Sequence, residues 1–132
     1  MEYKSLNPNL GVDDVAKAVE FYTNVLDFAL VNKVEQEGKM VWAMVQGGGV
    51  TLMFEHLDSV KSWTKDPNAN SANVSFSLYI NITGVEEFWK RLKEQTNVVQ
   101  QLFTTFYGAR EFTIRDPFGY LLTFAEDVTA SN

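Results

Sequence analysis

Glu55, Tyr79 and Glu111 are the side chains best equipped for chemistry in this chain of 132 residues, and His56 is its only histidine. Carboxylates and phenols act as general acids, bases or anchors when burial or neighbouring charge tunes them. Glu55 and His56 invite reading as a base with its orienter. Successive residues of a strand point to opposite faces, however, so the pair cannot easily cooperate. An exposed or capping histidine is the simpler assignment, because geometry precedes pKa in such arguments. There is no cysteine, hence no thiol nucleophile, disulfide framework or thiolate metal site. Gly47-Gly48-Gly49 lacks the following helix and lysine that a phosphate cradle requires, and no serine has a nucleophile-elbow context.

The elements that must position these residues are written twice. Gly49-Val50-Thr51-Leu52-Met53-Phe54 returns as Gly119-Tyr120-Leu121-Leu122-Thr123-Phe124, an offset of 70 residues. The same offset lays Val15, Ala18, Val19 and Tyr22 over Val85, Phe88, Trp89 and Leu92, both at helical spacing. In the first half, residues 4–12 read as a strand and Asp13 or Asp14 as the cap of a helix. Two strands, 28–36 and 40–46, follow about a Glu37-Gly38-Lys39 turn, and after the glycine triplet comes a third, 50–56. The second half repeats the order, with a strand at 74–82 and a helix opened by a Thr83-x-x-Glu86 capping box and running to Gln95. Strands at 98–104 and 110–115, an Asp116-Pro117-Phe118-Gly119 type I turn and a strand at 120–126 complete it. Each half is therefore βαβββ. The reading is a single α+β domain in which two such modules form a curved mixed sheet with helices on the outer face. Module one covers about 4–56, a linker 57–73, and module two about 74–126. Trp63, a large apolar side chain within the linker, reads as a lid on the domain edge or as a ligand contact.

Composition narrows the function classes. With 45% hydrophobic and 21% charged residues the chain is an ordinary globular one. A net charge of -6 excludes the basic footprint of a nucleic-acid binder. No apolar run has the length of a membrane span, and the first residues lack a signal peptide's apolar core. A cytoplasmic location is the default expectation.

Two phrases carry a resemblance over nearly the whole chain. Val12-Asp13-Asp14 with Ala18-Val19-Glu20-Phe21-Tyr22 and Val25-Leu26 stands in the first half, and Arg110-Glu111-Phe112 with Asp116-Pro117-Phe118-Gly119-Tyr120 in the second. Together they resemble the glyoxalase, bleomycin-resistance protein and extradiol dioxygenase superfamily, whose fold is the one derived above. Asp27 stands where that family usually has a helix-ending glycine, a position aspartate tolerates. The resemblance implies that metal-dependent members hold their metal at the positions of Asn7, Met53, Ser77 and Thr123. The repeat agrees, since 7 and 77, and 53 and 123, both differ by 70. An amide, a thioether and two hydroxyls give iron, zinc, nickel or manganese no useful affinity. No metal and no other cofactor is therefore expected, which undercuts chemistry that needs a Lewis acid.

Strand parity extends the inward set to Ser5, Asn9, Thr51, Glu55, Ser75, Tyr79 and Leu121, with Glu111, Thr113 and Arg115 on the seventh strand. The opposite set, Val50, Leu52, Phe54, Phe76, Leu78, Phe112, Ile114, Leu122 and Phe124, is the expected core. Strand three is apolar on both faces, which suits cover from a dimer partner. Two accounts fit the inward face. In one, Glu55 and Glu111 are anionic anchors, and Tyr79, Phe106 and Tyr107 offer rings to a flat cationic ligand, as in bleomycin-resistance-type relatives. In the other, the face is filled by its own side chains, a dimer contact or water. The expected function is a metal-independent, small-molecule-binding homodimer with Asn7, Glu55, Ser77, Tyr79, Glu111 and Thr123 against the ligand. The alternatives are a glyoxalase-type lyase, isomerase or dioxygenase with a displaced or absent metal site, using Glu55, Glu111 and Tyr79 as acids and bases, and an interaction module whose function is its dimer surface.

Overall fold

The computed structural model describes residues 1–64 and 76–129. It divides into two units, 1–72 and 73–132. In the first, β1 (Asn9–Val12), α1 (Val15–Asn24), β2 (Ala29–Gln36), β3 (Lys39–Gly47) and β4 (Val50–His56) are followed by α2 (Leu57–Thr64). In the second, β5 (Ser77–Asn81) and α3 (Val85–Leu92) precede β6 (Asn97–Thr104), β7 (Ala109–Arg115) and β8 (Leu121–Asp127). Each unit builds one four-stranded mixed sheet, ordered β1-β4-β3-β2 in the first and β5-β8-β7-β6 in the second. The α+β class and the two βαβββ modules are those read from the sequence. Residues 57–64, placed in the linker, are helical, and residues 65–75, including Ser75, lie outside the described residues.

The duplication reaches the register of the sheets. In the first unit β1 runs parallel to β4 with Asn9 beside Met53 and Leu10 beside Phe54. In the second, β5 runs parallel to β8 with Tyr79 beside Thr123 and Ile80 beside Phe124, every residue 70 further on. The antiparallel pairs depart from it by one residue. Met44 faces Met53, whereas Thr113, only 69 beyond Met44, faces Thr123. The cause lies in the connections: four residues, 47–50, separate the Gln46–Thr51 pair, and five, 116–120, the equivalent Arg115–Leu121 pair.

Core formation follows strand parity. Leu52 and Phe54 on β4, Ala43 and Val45 on β3, and Val15, Ala18 and Tyr22 on α1 are buried together, with Tyr22 centred 4.7 Å from Phe54. The second unit matches with Phe112, Ile114, Leu122 and Phe124 below α3, where Phe88 meets Phe124 edge-on at 5.0 Å. Phe76, assigned to the core from alternation, is exposed instead. It precedes β5, so no pairing holds it to the buried face; its ring leans on Tyr120 at 6.1 Å.

The helix ends divide in the same way. Asp14 caps α1 by accepting from Lys17 N at 3.0 Å, and Asp27 takes the left-handed conformation at φ 66°. The Thr83–Glu86 capping box does not form. Gly84 at φ 77° is the residue before α3, and the carboxylate of Glu126 accepts both Gly84 N and Val85 N at 3.1 Å. A charged acceptor arriving from β8 satisfies two helix-end donors at once, one on each oxygen, and its charge suits the positive end of the helix dipole.

Candidate functional site

Each unit gathers one carboxylate and its donors on the sheet face opposite the helix-packed core. In the first, Glu55 ends β4 on the parity of Met53. Its Oε1 accepts from Asn9 Nδ2 at 2.8 Å, and its Oε2 accepts from Ser59 Oγ at 2.5 Å and Trp63 Nε1 at 3.0 Å. Asn9 reaches it from β1, the strand hydrogen-bonded to β4. Ser59 and Trp63 reach it from α2, because residues four apart share one face of a helix. Burial alone would push the Glu55 carboxyl up, but the bonds from Ser59, Asn9 and Trp63 outweigh it and hold the group below its ordinary value. Trp42, the residue beside Glu55 on β3, and Met44 beside Met53 are half-buried on the same face.

His56 does not join this cluster. It is the residue before α2, and its Nδ1 accepts from Asp58 N at 3.1 Å, so the histidine caps a helix. Lys39 Nζ lies 3.3 Å from Nε2, the other ring nitrogen.

In the second unit Glu111 is buried at 8% exposure yet accepts two phenol hydrogen bonds. Tyr79 Oη donates to its Oε2 at 2.6 Å and Tyr107 Oη to its Oε1 at 2.8 Å. Both rings are about half exposed, and Phe106, wholly exposed, meets Tyr107 edge-on at 5.1 Å. The hydrogen bond to Glu111 raises the Tyr79 pKa strongly, with burial and the bond involving Tyr107 adding to it. Tyr79 therefore holds its proton and points it at the carboxylate. Beside the triad, Thr113 and Thr123 share a 2.7 Å hydroxyl–hydroxyl bond. The result is a negative charge beneath exposed aromatic faces, an arrangement that attracts a cation both by Coulomb force and by the ring quadrupole.

The sequence-derived residues are distributed unevenly. Tyr79 and Glu111 are brought into contact, and Thr123 is buried beside them. Glu55 is the hub of the first cluster. Ser77 is the exposed first residue of β5, and Asn7 is exposed ahead of β1. The strand expected from residue 4 begins only at Asn9, just after Pro8, which has no N–H for the ladder. Of the four positions at which the resemblance places a metal, Met53 is half-buried on β4 and Thr123 already spends its hydroxyl on Thr113. No three His, Cys, Asp or Glu side chains cluster among the described residues. The donor set does not fit a divalent metal. Ser59 was missed by sequence reasoning, although the spacing Glu55, Ser59, Trp63 is a helical signal once 57–64 is read as a helix.

Comparison with known proteins gives these clusters a frame. A family model described as Glyoxalase/Bleomycin resistance protein/Dioxygenase superfamily matches residues 6–124. An uncharacterised protein of Mycobacterium bovis is 26% identical over 97% of this chain and 86% of its own length. The crystal structure of TioX from Micromonospora sp. ML1 superposes with TM-score 0.71 at 22% identity, covering 95% of this chain and 99% of that one. A glyoxalase/bleomycin resistance protein/dioxygenase from Nocardioides gives TM-score 0.77 at 16% identity, covering 98% and 87%. At these identities the structural likenesses speak to fold. Among the described residues no helix is long and apolar enough to cross a membrane.

Proposed function

The chain belongs to the Glyoxalase/Bleomycin resistance protein/Dioxygenase superfamily, and from that premise we propose that it is a metal-independent member that binds a flat, cationic organic molecule, working as a homodimer. The observation that carries this reading is the Tyr79–Glu111–Tyr107 cluster, a buried carboxylate held under two half-exposed rings. Each phenol spends its proton on Glu111 and keeps oxygen lone pairs for a donor on the ligand. Within the same unit Ser77 and Thr123 add neutral polar groups; in the other unit Glu55 is the anionic point and Asn7 the neutral one. The unsuitability of Asn7, Met53, Ser77 and Thr123 as metal ligands supports metal independence.

The same geometry weighs against the lyase, isomerase or dioxygenase alternative. A phenol whose proton is held by Glu111 is a poor acid near neutrality, and Glu55, kept ionised by its donors, is a weak base. The test is a fluorescence titration of purified, tag-free protein with proflavine, a planar aromatic cation, alongside elemental analysis and native mass spectrometry. Glu111→Gln and Tyr79→Phe are expected to weaken binding about tenfold, the size of one lost charge-assisted contact. Affinity unchanged in both variants refutes the role of the cluster. A stoichiometric metal whose removal abolishes binding refutes metal independence, and a single-chain mass refutes the dimer.

A further inference from the structure

Helix α2 is attached to its unit differently from the other two helices. On α1 the side chains of Val15, Ala18 and Tyr22 are buried, and on α3 those of Val85 and Leu92. On α2 none is buried. Eight residues make little more than two turns, and isolated helices below about 12–15 residues are marginal in water. Leu57, Val60 and Thr64 are half-buried, a small apolar contact that leaves polar ties a large share in keeping α2 folded and seated.

Two polar devices are available at its start. His56 caps it through Nδ1, which satisfies Asp58 N but ties the helix only to the residue before it. A polar tie to the sheet is Glu55, which accepts from Ser59 Oγ on the first turn and from Trp63 Nε1 near the last. Asn9, donating to the other oxygen, fixes the carboxylate to β1. We propose that α2 is a detachable strap, latched by Glu55, which carries the Trp63 indole onto and off the face formed by β1 and β4. Trp63 is 63% exposed while latched, so its seat depends on the indole N–H rather than on burial of the ring. A donor from outside that competes for Oε2 would break both links together, since Ser59 and Trp63 share that oxygen. The latch itself does not depend on the ligand reading given above.

Hydrogen–deuterium exchange of the full chain at neutral pH tests this, following the peptide over 57–64 against those over 15–24 and 85–92. Glu55→Gln leaves one carbonyl oxygen and no charge, and is expected to speed exchange of 57–64 about tenfold, with α1 and α3 unchanged. Ser59→Ala and Trp63→Phe each remove one donor and are expected to give about a threefold rise confined to the same peptide. They carry the test if Glu55→Gln does not fold. Exchange of 57–64 unaltered by the variants overturns the latch. So does unprotected exchange of 57–64 in the wild type, or a rise in α1 of the same size.

Discussion

Removing both phenol donors from Glu111 should cost more than the sum of removing each alone. The carboxylate is 8% exposed and its oxygens accept from Tyr79 at 2.6 Å and Tyr107 at 2.8 Å. A hydrogen bond to a charged group contributes about 1.5–3 kcal/mol. Tyr79 and Tyr107 are 48% and 54% exposed, so solvent screens the pair and water can replace a single lost phenol. Each Tyr→Phe change alone should therefore cost about 1 kcal/mol. Without either donor, a buried charge has lost its partners, a situation that costs about 3–5 kcal/mol. The coupling in the double-mutant cycle is then about 1–3 kcal/mol. Equilibrium urea unfolding of the four proteins measures it, followed by far-ultraviolet circular dichroism and by Trp89, whose ring lies 5.2 Å from Phe112 in the same unit. Losses that add to within about 0.5 kcal/mol would show that water reaches Glu111 freely, and the triad would then be no unit.

Three further outcomes are expected. Because the folded-state pKa of Tyr79 is raised above 10.0, its contribution to stability is full below about pH 10 and is lost as pH rises beyond it. A phenolate absorbance titration should show one wild-type tyrosine resisting ionisation there, and Glu111→Gln should release it; identical titrations would contradict the bond. Glu55, whose folded-state pKa lies below 4.5, contributes stability that is present above that pH and fades as pH falls through the lowered value. The difference in fluorescence between wild type and Trp63→Phe should thus stay flat from about pH 6 to 8 and change only on acidification below 4.5; a change within the neutral range would show that Glu55 does not hold the indole. Phe54→Ala, which empties a fully buried site beside Tyr22, should cost about 3–5 kcal/mol in urea unfolding, and a loss below about 1 kcal/mol would mean the core closes over the gap.

What could be read from the sequence was whatever depends on periodicity. Leu52, Phe54, Leu122 and Phe124 alternate with their neighbours and all four are buried; on β4 the neighbours are half-buried, whereas on β8 Thr123 and Ala125 are buried as well. Asp14 and Asp27 are local signals at helix ends, and both act locally. The failures are at places where a partner comes from elsewhere in the chain. Thr83 lost the cap of α3 to Glu126, 43 residues on, since β8 delivers a carboxylate to the same donors. Phe76 has the alternation of a core residue but lies one position outside the paired strand. Residues 57–64 looked like a linker because α2 is short and only half-buries Leu57 and Val60; the four-residue spacing of Glu55, Ser59 and Trp63 becomes a signal only once the segment is read as a helix. Tyr107 was visible as an aromatic residue, yet only the β6–β7 turn shows that its hydroxyl reaches Glu111.

The two carboxylate clusters are related by the duplication, though not as copies. Asn9 and Tyr79 differ by 70, occupy equivalent places on β1 and β5, and each donates to the carboxylate of its own unit. The carboxylates are not equivalent. The counterpart of Glu55 is Ala125 on β8, and the counterpart of Glu111, in the register shifted by one residue, is Trp42 on β3. Donor length explains how both arrangements close. An asparagine on β1 reaches only the neighbouring strand, and Glu55 is there. A tyrosine on β5 reaches one strand further, and Ala125, beside Glu111 on the intervening β8, is small enough to let it pass. In both units the acid therefore lies away from Met53 and Thr123, the positions at which a metal would be held, and is already engaged by the chain's own donors. A carboxylate placed at Thr123 would set a second charge beside Thr113, two residues from Glu111 on the same face of β7. Like charges in so small a space oppose each other's ionisation. Glu111 thus itself disfavours an ionised carboxylate at the position of Thr123.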